Sequence, residues 1–302
     1  MKVRFFIMVF FILSFFHCGI QIAYCGLPDS GLLTPNSEIS RDEAIKLFTD
    51  ANEKYLQAAK FIAAKNVQEA EQKLKDASLQ YETILAHGFK NGQIYYNLGN
   101  TYYRQGELGK AILNYHRAGR LLPRNADLDA NLRLAKGAAE DRGLSTEIPV
   151  VIQRIFFWFF LMNQNELLTL AVSLYVLTMI VLFFFIIRKY AWLKRVLMGL
   201  SAALFIVLIS LGGKVYTEQG VNRGVVITTK CEVRYGPGEE YEPKFEVHNG
   251  AECVIEDEKN DWYRVYVKVG IKQGGDSKAT AGEKVSKDMR RGWLQKKQVG
   301  VI

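Results

Sequence analysis

Between Gly92 and Asn125, apolar and small residues recur with a helical period that breaks once. Tyr95, Leu98, Gly99 and Tyr102 form one run, Ala111, Tyr115 and Ala118 form a second, Gln105-Gly106 separates them, and Pro123 closes the pattern. The spacing predicts a helical hairpin. Gly99 and Ala111 are small where two antiparallel helices must approach, while Tyr95, Leu98, Tyr102 and Tyr115 supply apolar area to the seam. One hairpin cannot bury such a seam alone, so stacked neighbours are expected.

The spacing over 92–125 resembles the tetratricopeptide repeat, a helical pair of about 34 residues, and agrees with it at all eight defining positions. Upstream, Ser40 followed by Glu43 reads as a capping box. Ala44 to Ala86 is nearly free of Gly and Pro, which predicts two long helices broken near Ala64–Asn66. Leu47, Ala51 and Tyr55 then take first-helix positions, and Ala77, Tyr81 and Ile84 second-helix positions, with fourteen extra residues between them. Seven residues added to each helix are close to two turns and keep both apolar faces aligned. After Pro123, Leu128, Leu132 and Ala135 share the face of one capping helix. The expectation is an all-α helical repeat domain over 41–143, two and a half repeats long. Its shortness suggests that a partner or a second copy completes its groove.

Two long apolar runs follow. Leu167 to Ile187 is 21 residues without a charge and Val196 to Gly213 is 18, so 167–187 and 196–213 are expected to be transmembrane helices. Between them, 188–195 holds Arg188, Lys189, Lys194 and Arg195 and no acid, which marks a cytoplasmic loop. Ahead of them, 148–162 carries the aromatic cluster Phe156 to Phe160, including Trp158, and reads as an interfacial helix, with a buried core helix as the alternative. At the start of the chain, Lys2 and Arg4, the apolar run Phe5 to Leu13 and small Ala23 and Cys25 read as a signal peptide over 1–25. Lipidation at Cys18 or Cys25 is the alternative, but bulky residues precede both. Export at the N-terminus and a two-span hairpin with a cytoplasmic turn agree: both flanking domains face away from the cytoplasm.

From Gly224 the periodicity changes to short β-rich runs with Gly and Pro turns, VVITT, CEVRYGPG, KFEVHNGAECVIEDE, DWYRVYVKV and RRGWLQ. These predict a small all-β barrel over 221–302, interrupted by a polar, Lys-rich insertion from Gly270 to Arg291 that is expected to be a mobile loop. Val233 to Pro237, Asn249-Gly250, Asp261 to Val265 and Gly292 to Leu294 resemble the bacterial SH3-like domain.

Composition fits a composite chain: 49% hydrophobic residues and a mean hydropathy of −0.01 are too apolar for a purely soluble protein and too polar for a bundle of spans. The net charge of +8 is scattered or flanks the apolar blocks, which argues against nucleic acid. No catalytic fingerprint and no metal-ligand spacing is legible, His17, His87, His116 and His248 are isolated in sequence, and neither an enzyme activity nor a cofactor is expected. Cys231 and Cys253 can pair in an oxidising compartment or serve as two small core residues.

The order of parts, with YYNLGNTYYRQGELGKAILNYHRA, resembles the BatE family, tetratricopeptide membrane proteins of Bacteroides aerotolerance operons. The resemblance implies an inner-membrane protein with both domains periplasmic. It also implies von Willebrand factor A domain membrane proteins as partners, in an envelope complex linked to stress tolerance. Resemblance to tetratricopeptide repeats places a partner-binding groove on first-helix positions, here Asn52, Tyr96, Asn97, Asn100, Tyr103 and Arg104, with Asn52 holding the place of Asn100. Asn amides there can hold a peptide backbone and Arg104 can meet a carboxylate. The expected function is a non-catalytic scaffold; the alternative is peptidoglycan or cell-wall-peptide binding through the SH3-like domain.

Overall fold

The computed structural model describes residues 39–141, 149–220, 222–270 and 287–302, and among these described residues nine α-helices precede a C-terminal antiparallel sheet. The expected signal peptide lies outside the described residues, as do 142–148 and the middle of the Lys-rich insertion. The described residues fall into two compact units. One is the segment Met162–Val215, and the other joins Leu33–Leu161 to Tyr216–Ile302.

The helical array consists of α1 (Arg41–Ala63), α2 (Val67–Ala86), α3 (Gly92–Arg104), α4 (Leu108–Leu121) and α5 (Ala126–Ala138). Local chemistry sets its breaks. Ser40 Oγ accepts from Glu43 N to start α1, and the side chains of Asn66, Asn91 and Asn125 start α2, α3 and α5 in the same way. Lys65 at φ 60° turns the chain between α1 and α2, and Gly106 at φ 79° does so between α3 and α4. Ala51, Ala77, Tyr81, Ile84, Leu98, Ala111, Tyr115, Leu128 and Ala135 form one continuous core.

Helix α4 departs from the amphipathic pattern expected of a solvent-facing repeat helix. Ala111, Ile112, Leu113, Asn114 and Tyr115 are all buried, five in a row, and a helix covered on one side cannot bury five consecutive residues. The second cover is the sheet: Val225 belongs to the same core as Ile112 and Leu113, with Ile227 and Ile302 packed against it.

The sheet contains β1 (Arg223–Val226), β2 (Lys230–Arg234), β3 (Pro243–His248), β4 (Glu252–Lys259), β5 (Trp262–Gly270), β6 (Lys287–Gln295) and β7 (Val299–Val301), in the order β3-β2-β6-β5-β4-β1-β7. All five β-rich runs contain strand. The third splits into β3 and β4 at Gly250, whose φ is 90°. Lys287 to Arg291, assigned to the insertion by composition, is strand: its backbone pairs residue by residue with β5 from Gly270↔Lys287 onward, so ladder hydrogen bonds override polar side chains. Val226, Cys231, Val233, Val247, Cys253, Val265, Val267 and Leu294 fill the interior.

The docking of sheet on array fits closely. Helix α4 has no side-chain cap from its own N-terminal residues, and Gly109 N donates instead to Asn249 Oδ1 at 2.6 Å, from the β3–β4 turn 140 residues away. A Cβ on Gly109 would stand 2.1 Å from Val226 O, one on Gly250 3.0 Å from Ala139 Cβ, and one on Gly300 2.4 Å from Leu113 Cδ2. Arg117 Nη2 donates to Val301 O at 2.6 Å. The side of α4 turned away from α3 is therefore covered by the chain's own sheet.

The other unit contains α8 (Gln164–Arg188) and α9 (Ala191–Val215), joined through Lys189 in the left-handed region at φ 50°. Both are long and apolar enough to cross a membrane, and only 11% and 6% of their most apolar windows are buried, against the near-complete burial of a core helix. The helices outrun the apolar stretches 167–187 and 196–213 because Arg, Lys and Glu are good helix formers. Lys194 and Arg195 thus lie in α9 and not in the 188–195 loop. A capping box at Asn163 and Glu166 starts α8. The stretch 148–162 resolves into two short helices, α6 (Val150–Ile155) and α7 (Phe157–Leu161), with Val151, Ile155, Phe156, Phe157 and Leu161 exposed.

Gly109→Ala should destabilise the full-length chain by about 1–3 kcal/mol, because its Cβ must push the sheet off α4. Gly119→Ala, whose Cβ meets only Leu128 Cδ2 at 3.9 Å, should stabilise by about 0.5–1 kcal/mol. Thermal unfolding in detergent distinguishes the two outcomes.

Candidate functional site

The groove positions expected on first helices come together as a ladder of side-chain hydrogen bonds across α1, α3 and α5. Asn52 Oδ1 accepts from Tyr81 Oη at 2.6 Å and from Asn97 Nδ2 at 2.7 Å. Asn100 Oδ1 accepts from Tyr115 Oη at 2.8 Å and from Asn131 Nδ2 at 2.9 Å. The two rungs are the same motif. In the first, the donors follow the asparagine by 29 and 45 residues, and in the second by 15 and 31. Both separations shrink by the fourteen residues that lengthen the first hairpin.

The rungs fix which chemistry remains. Burial pushes the Tyr81 and Tyr115 phenols well above their ordinary range, so both stay protonated donors. They occupy the asparagine carbonyls. The amide Nδ2 groups of Asn52 and Asn100 have no protein partner among the described residues and are not sealed from water, so they remain free to donate. Tyr96 Oη accepts from Asn131 Nδ2 at 3.1 Å, and Asn97 Oδ1 from Gln93 Nε2 at 2.9 Å.

Arg104 is held at the edge of this face. Its Nε donates to Tyr55 Oη at 2.7 Å and its guanidinium carbon stands 5.1 Å from the Tyr55 ring centre. The outer edge of the guanidinium stays presented, and neighbouring Tyr103 is 38% exposed. Tyr103, Arg104 and the two asparagine amides together form a polar, aromatic surface suited to an extended peptide with a carboxylate.

A second constellation, not legible in sequence, lies where the array meets the sheet. Glu252 on β4 accepts from His116 Nε2 on α4 at 2.5 Å and stands 2.8 Å from Lys136 Nζ on α5. Burial raises the Glu252 carboxyl, but the hydrogen bond and charge of His116 and the charge of Lys136 outweigh it and hold the group at about 2. Burial chiefly lowers the His116 imidazole, against the pull of Glu252. Asp141, nearly inaccessible, accepts from His248 N at 2.7 Å. The only trace of these contacts in the sequence is the unbroken apolar run Ala111-Ile112-Leu113, which marks α4 as covered twice.

On the sheet, an open groove of about 390 Å³ is lined by Lys230, Glu232, Arg234, Glu246 and Trp262 among others. Its charges are paired, Lys230 with Glu246 at 2.7 Å and Arg234 with Glu232 at 3.0 Å. Cys231 and Cys253 are free thiols buried in the same core, and burial pushes them up to about 11 and about 12. Among the described residues, no three His, Cys, Asp or Glu side chains converge as metal ligands. No protein-family model and no curated protein matches the chain.

Two measurements check this description. Asn100→Ala strands the buried Tyr115 hydroxyl and should cost about 1–3 kcal/mol, and combining it with Tyr115→Phe should cost less than the sum of the two single changes, as read by denaturant unfolding. Cys231 and Cys253 should react with a thiol reagent at pH 8 only after unfolding, since burial disfavours the thiolate.

Proposed function

We propose that the chain is a non-catalytic scaffold anchored in a membrane by α8 and α9, whose tetratricopeptide-like array binds partner proteins through the face carrying Asn52, Asn100, Tyr103 and Arg104. The observation that carries this reading is the ladder itself. It fixes two asparagines by their carbonyls and leaves their amide donors, with an anchored guanidinium and an exposed tyrosine, available to an extended chain.

A topological argument supports a shared side for both domains. Residues before α8 and after α9 belong to one docked body, which supports a pair of spans that returns to the side it left. The basic residues Arg188, Lys189, Lys194 and Arg195 at the turn favour the cytoplasm for the turn, and hence the periplasm for the array and the SH3-like sheet. The exposed aromatics Phe156 and Phe157, at the junction of α6 and α7, suit a membrane interface. On the BatE-like reading, the partners are other membrane proteins of the von Willebrand factor A type. The alternative, binding of peptidoglycan or its peptides by the sheet, is favoured by the polar groove beside Trp262.

The test uses the full chain, because separating the array from the sheet uncovers Ile112 and Leu113. Crosslinking followed by pull-down from membranes should capture the same protein partners with each preparation of wild type and lose them with Tyr103→Ala/Arg104→Ala, at unchanged thermal stability. Undiminished capture by the double variant would count against the groove. Co-sedimentation of the full chain with purified sacculi, without protein partners, would move the assignment to the sheet.

A further inference from the structure

The boundary between array and sheet is crossed by two carboxylate–histidine contacts that run in opposite directions. Glu252 of the sheet faces His116 of α4 and Lys136 of α5, while Asp141, just past α5, faces His248 of β3 with Nδ1 at 3.1 Å. Two of the three described histidines therefore sit on one interface, each against an acid supplied from the other side. The boundary is also crossed by Asn249 capping α4, by Arg117 on the Val301 carbonyl, by the packing of Ile112 and Leu113 with Val225, and by the close approaches at Gly109, Gly250 and Gly300.

We propose that this boundary is an acid-sensitive latch, in which proton uptake at His116 and Glu252 lifts the sheet from α4 and α5 and uncovers the end face of the helical array. Burial sets the direction at His116, where Lys136 and Arg223 oppose the pull of Glu252. His116 faces Glu252, Lys136 and Arg223, and Glu252 faces His116 and Lys136. Closed at neutral pH, one buried carboxylate balances the cations of α5 and β1. A proton on His116 adds a further cation to that group, and a proton on Glu252 removes the anion that holds it together. The other edge responds differently. There Asp141 accepts from the backbone N–H of His248 at 2.7 Å as well as standing 3.1 Å from Nδ1, so a main-chain hydrogen bond holds that edge. Opening therefore starts at His116 and pivots about Asp141.

Linkage gives the pH window. In the closed form burial holds His116 below its ordinary 6.5, and Glu252 sits at about 2 against an ordinary 4.5. Released to solvent, both return towards their ordinary values, so the open form binds more protons. The ratio of open to closed rises as pH falls below about 6.5, rises again below about 4.5, and levels off near 2. Glu252 alone changes that ratio about 30-fold between pH 7 and pH 3.

Amide hydrogen exchange on the full chain in detergent, corrected for the intrinsic pH dependence, tests the latch. Peptides covering 108–115 and 223–227 should lose protection as the pH falls from 7 to 3, by about 30-fold or more, while the α2 peptide from Leu74 to Ile84 stays protected. Glu252→Gln, which keeps an acceptor of the same shape, should remove the step below pH 4.5. His116→Gln should remove the step below 6.5 and serves as the test if the first variant does not fold. Equal protection at both pH values, loss of α2 protection in parallel, or wild-type pH profiles in both variants would overturn the proposal.

Discussion

Helix α4 must be covered twice, and much of the architecture follows from that constraint. One side of it closes the hairpin with α3 through Ala111 and Tyr115, and the other presents Ile112 and Leu113 to Val225 of the sheet. A two-and-a-half-repeat array cannot bury both sides from its own helices. The sheet takes the place that a sixth helix would occupy, and Asn249 supplies the N-terminal cap that α4 lacks locally. Glycine at 109, 250 and 300 permits the approach, because a Cβ at 109 would collide with the Val226 carbonyl and one at 250 or 300 would crowd Ala139 or the end of Leu113. Residues on either side of the two long apolar helices in the sequence thereby become parts of one body.

Periodicity carried the helical half of the fold well. The small–large alternation at Gly99, Ala111 and Tyr115, the asparagine caps and the break at Ala64–Asn66 are local signals, and local signals are what a sequence displays. The correspondence of Asn52 with Asn100 was legible for the same reason: a fourteen-residue extension made of helical turns preserves phase, so matched positions keep matched partners in Tyr81 and Tyr115. What could not be read was that those asparagine carbonyls are already occupied, which turns both residues into donors.

The contacts between array and sheet were invisible to the same reasoning. His116 and Glu252 are 136 residues apart, and Asp141 and His248 are 107 apart. Nothing in their neighbours' spacing announces such pairings. The strand over Lys287 to Arg291 was hidden for a different reason, since polar side chains on a ladder read as insertion when only composition is weighed. β7, three residues long and set against β1, offers too little alternation to be recognised. The two long apolar helices were recognisable by length, though helix and apolar stretch differ at both ends, because charged residues continue a helix that hydropathy has already ended.

The account rests on the array and the sheet, separated in sequence by α8 and α9, being docked as one body. Leu113→Cys together with Gly300→Cys places two thiols where Gly300 approaches the Leu113 side chain, and the first substitution makes room for the second. Treated in native membranes with an oxidant or a short bis-maleimide and then cleaved between the two domains, this variant should yield fragments that remain linked. Fragments that separate completely, with the two cysteines labelled from opposite sides of the membrane, would contradict a single docked body.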